Sequence, residues 1–502
     1  MVNARSIQAI FIFAIGIVLS VWLGFALVTE TFETLLKVGG TLLLITAALL
    51  GRRIWLMMIL FTSMNVILYR WFGTTDIGQF IFIVFSLILF LMRKLHFEVS
   101  FTEIEFWMLL IVGCIVQAYL RHPVGLNIMG AGNVGGRPYI VLGLAVTSYY
   151  ILSTLKVPEN ELKWAMKLAL IGGFIGIPLK MARFGSLSAG GEEGGDRIPS
   201  LSEFSLLVSR WISCRVSLVK ALARPAYGLV IIATIIIAAA SGYRNSVAMV
   251  GLIYLGATYY HGGFGTLVGC LLICIIAIGV LALVNLALPL PGNIQRALSP
   301  LPGTWEEQYT IAADQSTQWR VEMWKEAIFT DHWIQNKIIG DGIGMSAAQL
   351  VTNENMTATR GGVSAYGLLV QQENMLINGS YHSGPVHSVR MTGYVGLTIL
   401  LLAMIRLAVH AHRQVMRCRG TEWFTFAMFF GVPIIIAPVF FTFVFGEYHT
   451  AVAQTFLGMA MVRLMQRNLP LPAWQPVSRE PYILNLRRQR EQREAAGHTG
   501  HA

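Results

Sequence analysis

An all-α polytopic membrane protein, with about 14 transmembrane helices (12–14) and one large extracytoplasmic loop, is predicted by three properties of the sequence. The 502 residues are 55% hydrophobic and only 13% charged, against about 25% charged in ordinary soluble domains. The mean hydropathy is +0.62. Many apolar runs approach the ~20 residues that cross a ~30 Å hydrocarbon core. These properties exclude a soluble enzyme, a coiled coil and a disordered chain. The net charge is +11, but the basic residues cluster in short loops, as positive-inside orientation demands. No nucleic-acid partner follows from it; membrane lipids are the expected surroundings.

The apolar stretches lie near 7–28, 35–50, 54–70, 77–92, 104–119, 137–154 and 163–180, then near 226–240, 245–260, 264–290, 386–408, 423–445 and 447–465. The first of these is too long for a signal-peptide core and reads as a membrane anchor. Residues 1–290 thus form an N-terminal helical region, and 291–385 a polar insertion with short helices. Residues 386–465 form a C-terminal helical region. The tail 466–502 is rich in Pro, Arg and Gln and reads as disordered.

Charge orients these spans. Arg5, Arg52–Arg53 and Arg93–Lys94 fall on one side, and the acidic link with Glu30 and Glu33 on the other. The loop with Arg406, Arg413, Arg417 and Arg419 and the tail with Arg487, Arg488 and Arg490 are basic, so both termini are expected in the cytoplasm. That requires an even number of crossings, and thirteen is odd. The segment Leu201–Val219 supplies the fourteenth; its hydropathy is weakened by Arg210 and Arg215. Intramembrane arginines face a bundle interior or a wet cavity. An amphipathic helix lying on the membrane surface is the alternative. In this topology the insertion is extracytoplasmic, with nine acidic and five basic residues. The links near 120–136, 181–200, 241–246 and 446–449 share its side.

The five cysteines, Cys114, Cys214, Cys270, Cys274 and Cys418, lie in apolar segments or a basic loop and read as packed thiols. No metal site is expected: His382 and His387 are five apart around Pro385, a poor ligand spacing, with no carboxylate triad near them.

Three polar constellations fall on the outer side. Ser241-Gly242-Tyr243-Arg244 is a tight turn with a guanidinium suited to grip phosphate; a snorkelling arginine would look the same. In the insertion, Arg320 and Trp324 are four apart and share a helix face, as do Glu322 and Glu326, a pattern also seen on plain surface helices. The glycines of Gly340-Asp341-Gly342-Ile343-Gly344 call for positive φ or close backbone approach. Tyr381-His382 and His387 end the insertion just before a helix with Gly393 and Gly396, and an interfacial histidine can act as general base.

Taken in order, Ser241 to Arg244, Arg320 with Trp324, Gly340 to Gly344, His382-Ser383 and Gly393 with Gly396 resemble the O-antigen ligase and O-antigen (exopolysaccharide) polymerase superfamily of bacterial membrane glycosyltransferases. The resemblance covers roughly residues 197–410. It implies a GT-C-like enzyme of the bacterial inner membrane. Such an enzyme transfers a glycan from undecaprenyl-diphosphate to an acceptor sugar hydroxyl, on a glycan or a lipid core, with inversion and with neither metal nor cofactor. Catalytic roles would fall to His382, Arg320 and Arg244. Arg197, Arg210, Arg137, Trp324, Tyr381 and His387 would contact substrate. The turn reads Ser-Gly-Tyr-Arg where Ser-x-Ser-Arg is commoner, and His382 is followed by Ser-Gly-Pro where Asn and an aliphatic run are usual. Either His382 or His387 can therefore be the family histidine, and spacing to Gly393 favours His382. A repeat-unit polymerase is the alternative within the superfamily; a lipid-linked glycan transporter is the alternative outside it. Glycosyl transfer requires Arg244 and Arg320 to meet on one side of the membrane.

Overall fold

The computed structural model describes residues 45–69, 72–95, 97, 101–123, 136–184, 198–288, 290–299, 303–331, 333–344 and 381–469. The anchor at 7–28, most of 35–50, the acidic link with Glu30 and Glu33, Arg5, Arg197, much of the insertion and the basic tail lie outside the described residues. The described chain is helical apart from a short antiparallel pairing of Ile67–Tyr69 with Phe72–Gly73.

Among the described residues, seven helices are long and apolar enough to cross a membrane. The first is Ile45–Met64, in which the Gly51–Arg53 turn precedes α1 (Ile54–Met64). The separate stretches expected at 35–50 and 54–70 thus meet in one apolar segment across the described residues. The others are α2 (Thr74–Leu91), α3 (Glu103–Arg121), α5 (Glu159–Phe184), α10 (Phe264–Ala287), α13 (Gly384–Cys418) and α14 (Phe424–Phe443). Between them stand α4 (Arg137–Thr154), α6 (Pro199–Ser213), α7 (Leu218–Leu222), α8 (Pro225–Ala240), α9 (Arg244–Gly262), α11 (Gly292–Leu298), α12 (Glu307–Phe329) and α15 (Tyr448–Asn468).

Composition explains where each helix sits. In α10 Cys270 and Asn285 alone are buried, and Ile275, Ile276 and Leu283 are among the many exposed apolar side chains, as suits a helix whose solvent is lipid. By contrast α15 buries Val452, Phe456, Met459, Leu464 and Met465 against α3, α4, α13 and α14. A helix wrapped by four neighbours tolerates polar residues that pair internally, and α15 carries one. Arg463 donates through Nε to Glu105 of α3 at 3.0 Å, and Tyr149 of α4 donates to the same carboxylate oxygen at 3.0 Å. Glu105 and Arg463 are 6% and 8% exposed. Removing one partner of a buried pair strands the other charge, at a cost of about 3–5 kcal/mol. Glu105→Ala should therefore lower the thermal unfolding midpoint of the detergent-solubilised protein sharply. Glu422→Ala, which breaks an ion pair exposed on both sides with Lys163, should barely move it.

Side-chain links tie the helix ends into two opposed layers. At one end Arg53 pairs with Glu161 at 3.0 Å, Lys163 with Glu422 at 2.8 Å, and the Val157 N–H donates to Asn468. Arg406 and His410 meet Glu103 there, and His261 contacts the Ser213 carbonyl. These links join the starts of α1, α3, α5 and α14 to the ends of α6, α9, α13 and α15. The expected basic groups Arg52–Arg53, Lys94 and Arg406–Arg419 thus share one end. At the opposite end the Ile198 N–H donates to the Ser241 carbonyl, the Tyr448 N–H to His387, and the Ile343 N–H to the Tyr139 hydroxyl.

The segment Leu201–Val219 is not one helix. Its first part, α6, ends at Ser213; fifteen residues give about 22 Å at ~1.5 Å each, short of a full crossing. A turn follows, and Ser217 caps α7 by accepting the Lys220 N–H at 3.2 Å. Nor is α6 a surface helix. It packs against α5, α8, α9 and α14, with Ser205, Ser209 and Ser213 buried in a stripe. Small residues at such spacing let helices approach closely inside a membrane bundle.

Candidate functional site

The end opposite the basic layer gathers the polar constellations. Its first component is the α8–α9 turn. Gly242 takes φ of +72°, and the Ser241 hydroxyl donates to the Ala238 carbonyl and accepts the Tyr243 N–H. This turn aims Arg244 toward α12, where its Nη1 donates to the Thr317 hydroxyl at 3.2 Å. Thr317 and Arg320 are three apart, neighbours on a helix surface. Arg244 therefore touches α12 about one helical turn from the position of Arg320.

A packed seam fixes α12. Its Trp319, Met323, Trp324 and Ala327 lie against Ile334, Tyr381, Val386 and Val389. The Trp324 indole donates to the Tyr381 carbonyl at 2.7 Å. Tyr381 is fully buried, and burial raises its phenol above the usual range, with the Arg390 charge opposing. Trp324 and Tyr381 thus anchor α12 to the residues before α13: the Tyr381 ring is fully covered and the Trp324 N–H is engaged by a main-chain carbonyl. Glu326 lies exposed and accepts the Trp333 indole N–H at 2.7 Å.

The glycine turn behaves as its sequence demands. Gly340, Gly342 and Gly344 all have positive φ, as does Gly393, where α13 breaks. The turn docks into that break. The Tyr394 N–H donates to the Lys337 carbonyl at 2.8 Å, the Val395 N–H to Ile338 at 3.1 Å, and the Asp341 N–H to Arg390 at 2.6 Å. Asp341 holds the loop from within by accepting the Gln335 and Asn336 N–H groups.

The two histidines differ in role. His387 is 2% exposed; its Nδ1 accepts the Tyr448 N–H at 3.0 Å, pinning the start of α15 to α13. In the neutral ring the proton then sits on Nε2, which is buried and meets no partner among the described residues. His382 is half-buried, stacked on Phe445 at 5.8 Å, and held at φ of +51°. Such a conformation is costly for a non-glycine residue and gathers at functional sites. Of the two, His382 is the accessible one.

Phe445 leads into a cavity of about 490 Å³ between α6, α9, α13, α14 and α15. Ser202, Asn245, Ser246 and Glu447 line it, and Arg210 sits in its wall. The lining is otherwise mostly apolar. Arg210 faces the bundle interior as expected. Its Nη2 donates to the Phe429 carbonyl at 3.3 Å, and its guanidinium lies 4.7 Å from the Phe429 ring centroid. A second cavity of about 560 Å³ shares Arg210 and contains Arg137, Asp76 and His449. Arg137 therefore belongs to a neighbouring chamber rather than to the rim beside Arg244.

Sequence reasoning missed Arg121 and Gln117. Arg121 donates to the carbonyls of Ile339 and Gly340, both at 2.7 Å, and Gln117 donates to Ile339 at 3.1 Å. Their spacing of four on α3 was the available signal, but nothing local names a partner more than 200 residues away. Among the described residues no group of three or more His, Cys, Asp or Glu is placed to hold a metal, and the five cysteines are free. No protein-family model matches the chain, and a search of curated proteins finds no match.

Proposed function

We propose that this protein is an inverting, metal-independent membrane glycosyltransferase, O-antigen ligase-like, that moves a glycan from undecaprenyl-diphosphate to an acceptor sugar hydroxyl. The observation that carries it is the meeting of Arg244 with the segment of α12 that bears Arg320, at the end of the bundle where His382 stands beside an apolar cavity. In this reading 12–14 helices cross a bacterial inner membrane. Both termini are cytoplasmic, and the basic layer faces inward by the positive-inside rule.

The chemistry follows from charge. The acceptor oxygen attacks the sugar C1 as the bond from C1 to the diphosphate oxygen breaks. Negative charge grows on the leaving diphosphate, and Arg244 and Arg320 are preorganised cations for it. His382 takes the acceptor proton, and undecaprenyl diphosphate leaves. His387, whose Nδ1 is committed to Tyr448, holds the frame. His382→Ala should therefore reduce transfer in isolated membranes about 10²–10⁴-fold at normal protein level. His387→Ala should lower the amount of folded protein first. Equal transfer by His382→Ala and the parent would remove the general-base assignment.

A repeat-unit polymerase uses the same site with a different acceptor. Glycan analysis in a deletion strain separates the two: loss of a ligase leaves polymer on the carrier, and loss of a polymerase leaves single units. A lipid-linked glycan transporter is the reading from another class, favoured by one observation: Arg210 borders both cavities. Labelled carrier in liposomes distinguishes movement from bond cleavage.

A further inference from the structure

The basic end carries a cavity that glycosyl transfer does not use. It holds about 230 Å³ and is enclosed by the start of α1, the residues after α2 and the α4–α5 link. Its floor is apolar, with Trp55 fully buried and Leu95, Leu155 and Val157 nearly so. Its rim carries three exposed cations from three separate segments: Arg52, Lys94 and Lys156. The one acid in the lining, Glu161, is already engaged. Its Oε1 accepts from Arg53 at 3.0 Å and its Oε2 from the Trp55 indole at 3.3 Å. Three cationic side chains thus line a pocket that has one acid among its described lining residues.

Beside Lys94 the chain exposes Leu91 and Met92, at 71% and 54%. These are apolar surfaces at the edge of a span, where an acyl chain would lie below a headgroup. We infer that this cavity is a binding site for a phosphate-ester anion, with an anionic lipid headgroup as the source that this apolar flank favours and a free phosphate compound as the other. Basic pockets between transmembrane helices on the positive side suit such headgroups. The inference does not depend on the glycosyltransferase reading.

The test uses the purified full chain in detergent. Native mass spectrometry reads its retention of dioleoyl phosphatidylglycerol against dioleoyl phosphatidylcholine. Replacing Arg52, Lys94 and Lys156 together by Gln should weaken phosphatidylglycerol binding on the order of 100-fold. Phosphatidylcholine retention should not change. A second triple variant, Arg215→Gln with Lys220→Gln and Arg224→Gln, removes as many charges from outside the cavity and should cost less than about threefold. Size-exclusion elution checks folding. If the first triple variant fails that check, Lys94→Gln and Lys156→Gln singly carry the test, each expected to cost about fivefold. Displacement of the lipid by millimolar inorganic phosphate would assign the pocket to a soluble phosphate compound. Resistance to it would assign the pocket to lipid. Equal weakening by both triple variants, or by neither, would overturn the site.

Discussion

Gly393→Ala should cost more than about 4 kcal/mol and leave little folded protein. A methyl group there would overlap the Ile338 carbonyl, and the residue holds φ of +72°, a conformation L side chains resist by roughly 1–2 kcal/mol. The partner position is equally intolerant: a Cβ on Gly340 would stand 2.5 Å from the Thr392 nitrogen. Because Gly340 and Gly393 bring backbone directly against backbone, either change pushes the Lys337–Asp341 turn off α13. The three main-chain hydrogen bonds across that junction and the Arg121 clasp would be lost with it. The matched control is Gly279→Ala on α10. No atom lies within 4 Å of its added methyl, and alanine is the better helix former by ~1 kcal/mol. Thermal unfolding followed by size-exclusion should separate the two variants cleanly. Similar midpoints would mean that the turn and the α13 break are not locked together.

The second large effect is on activity. Arg320→Ala and Arg244→Ala should each reduce transfer about 10²–10³-fold, the range seen when one preorganised charge-stabilising donor is removed. Lysine at either position should restore only part of it, because an ammonium lacks the planar fork that grips two phosphate oxygens. Both side chains are half-buried at the end opposite the basic layer rather than in the core, so protein yield should hold. Full activity in Arg320→Ala would remove the role assigned to that guanidinium.

Much of this was legible in the residues themselves. Apolar runs marked the helices because lipid demands such runs, and the glycines at 340, 342 and 344 marked backbone that side chains cannot follow. Arg210 was readable as inward-facing because the hydrocarbon offers an arginine nowhere else to go. What sequence hid falls into two kinds. One is pairing between remote segments. Glu105 with Arg463, and Arg121 with Ile339, are contacts more than 200 residues apart with no local pattern to announce them. The other is a break that composition masks. Leu201–Val219 keeps its apolar residues through the turn at 214–217, and the Ser217 cap was the only local sign that a new helix begins. The histidine ambiguity was of the first kind also. His387 became a structural pin only through Tyr448, 61 residues away.

The most direct measurement gives purified protein in liposomes a labelled glycan on undecaprenyl diphosphate together with a sugar acceptor. Glycosyl transfer requires that label move to the acceptor while undecaprenyl diphosphate accumulates, and that both fall together in Arg320→Ala and His382→Ala. Label that crosses the bilayer still attached to its carrier, at a rate indifferent to both substitutions, would contradict it.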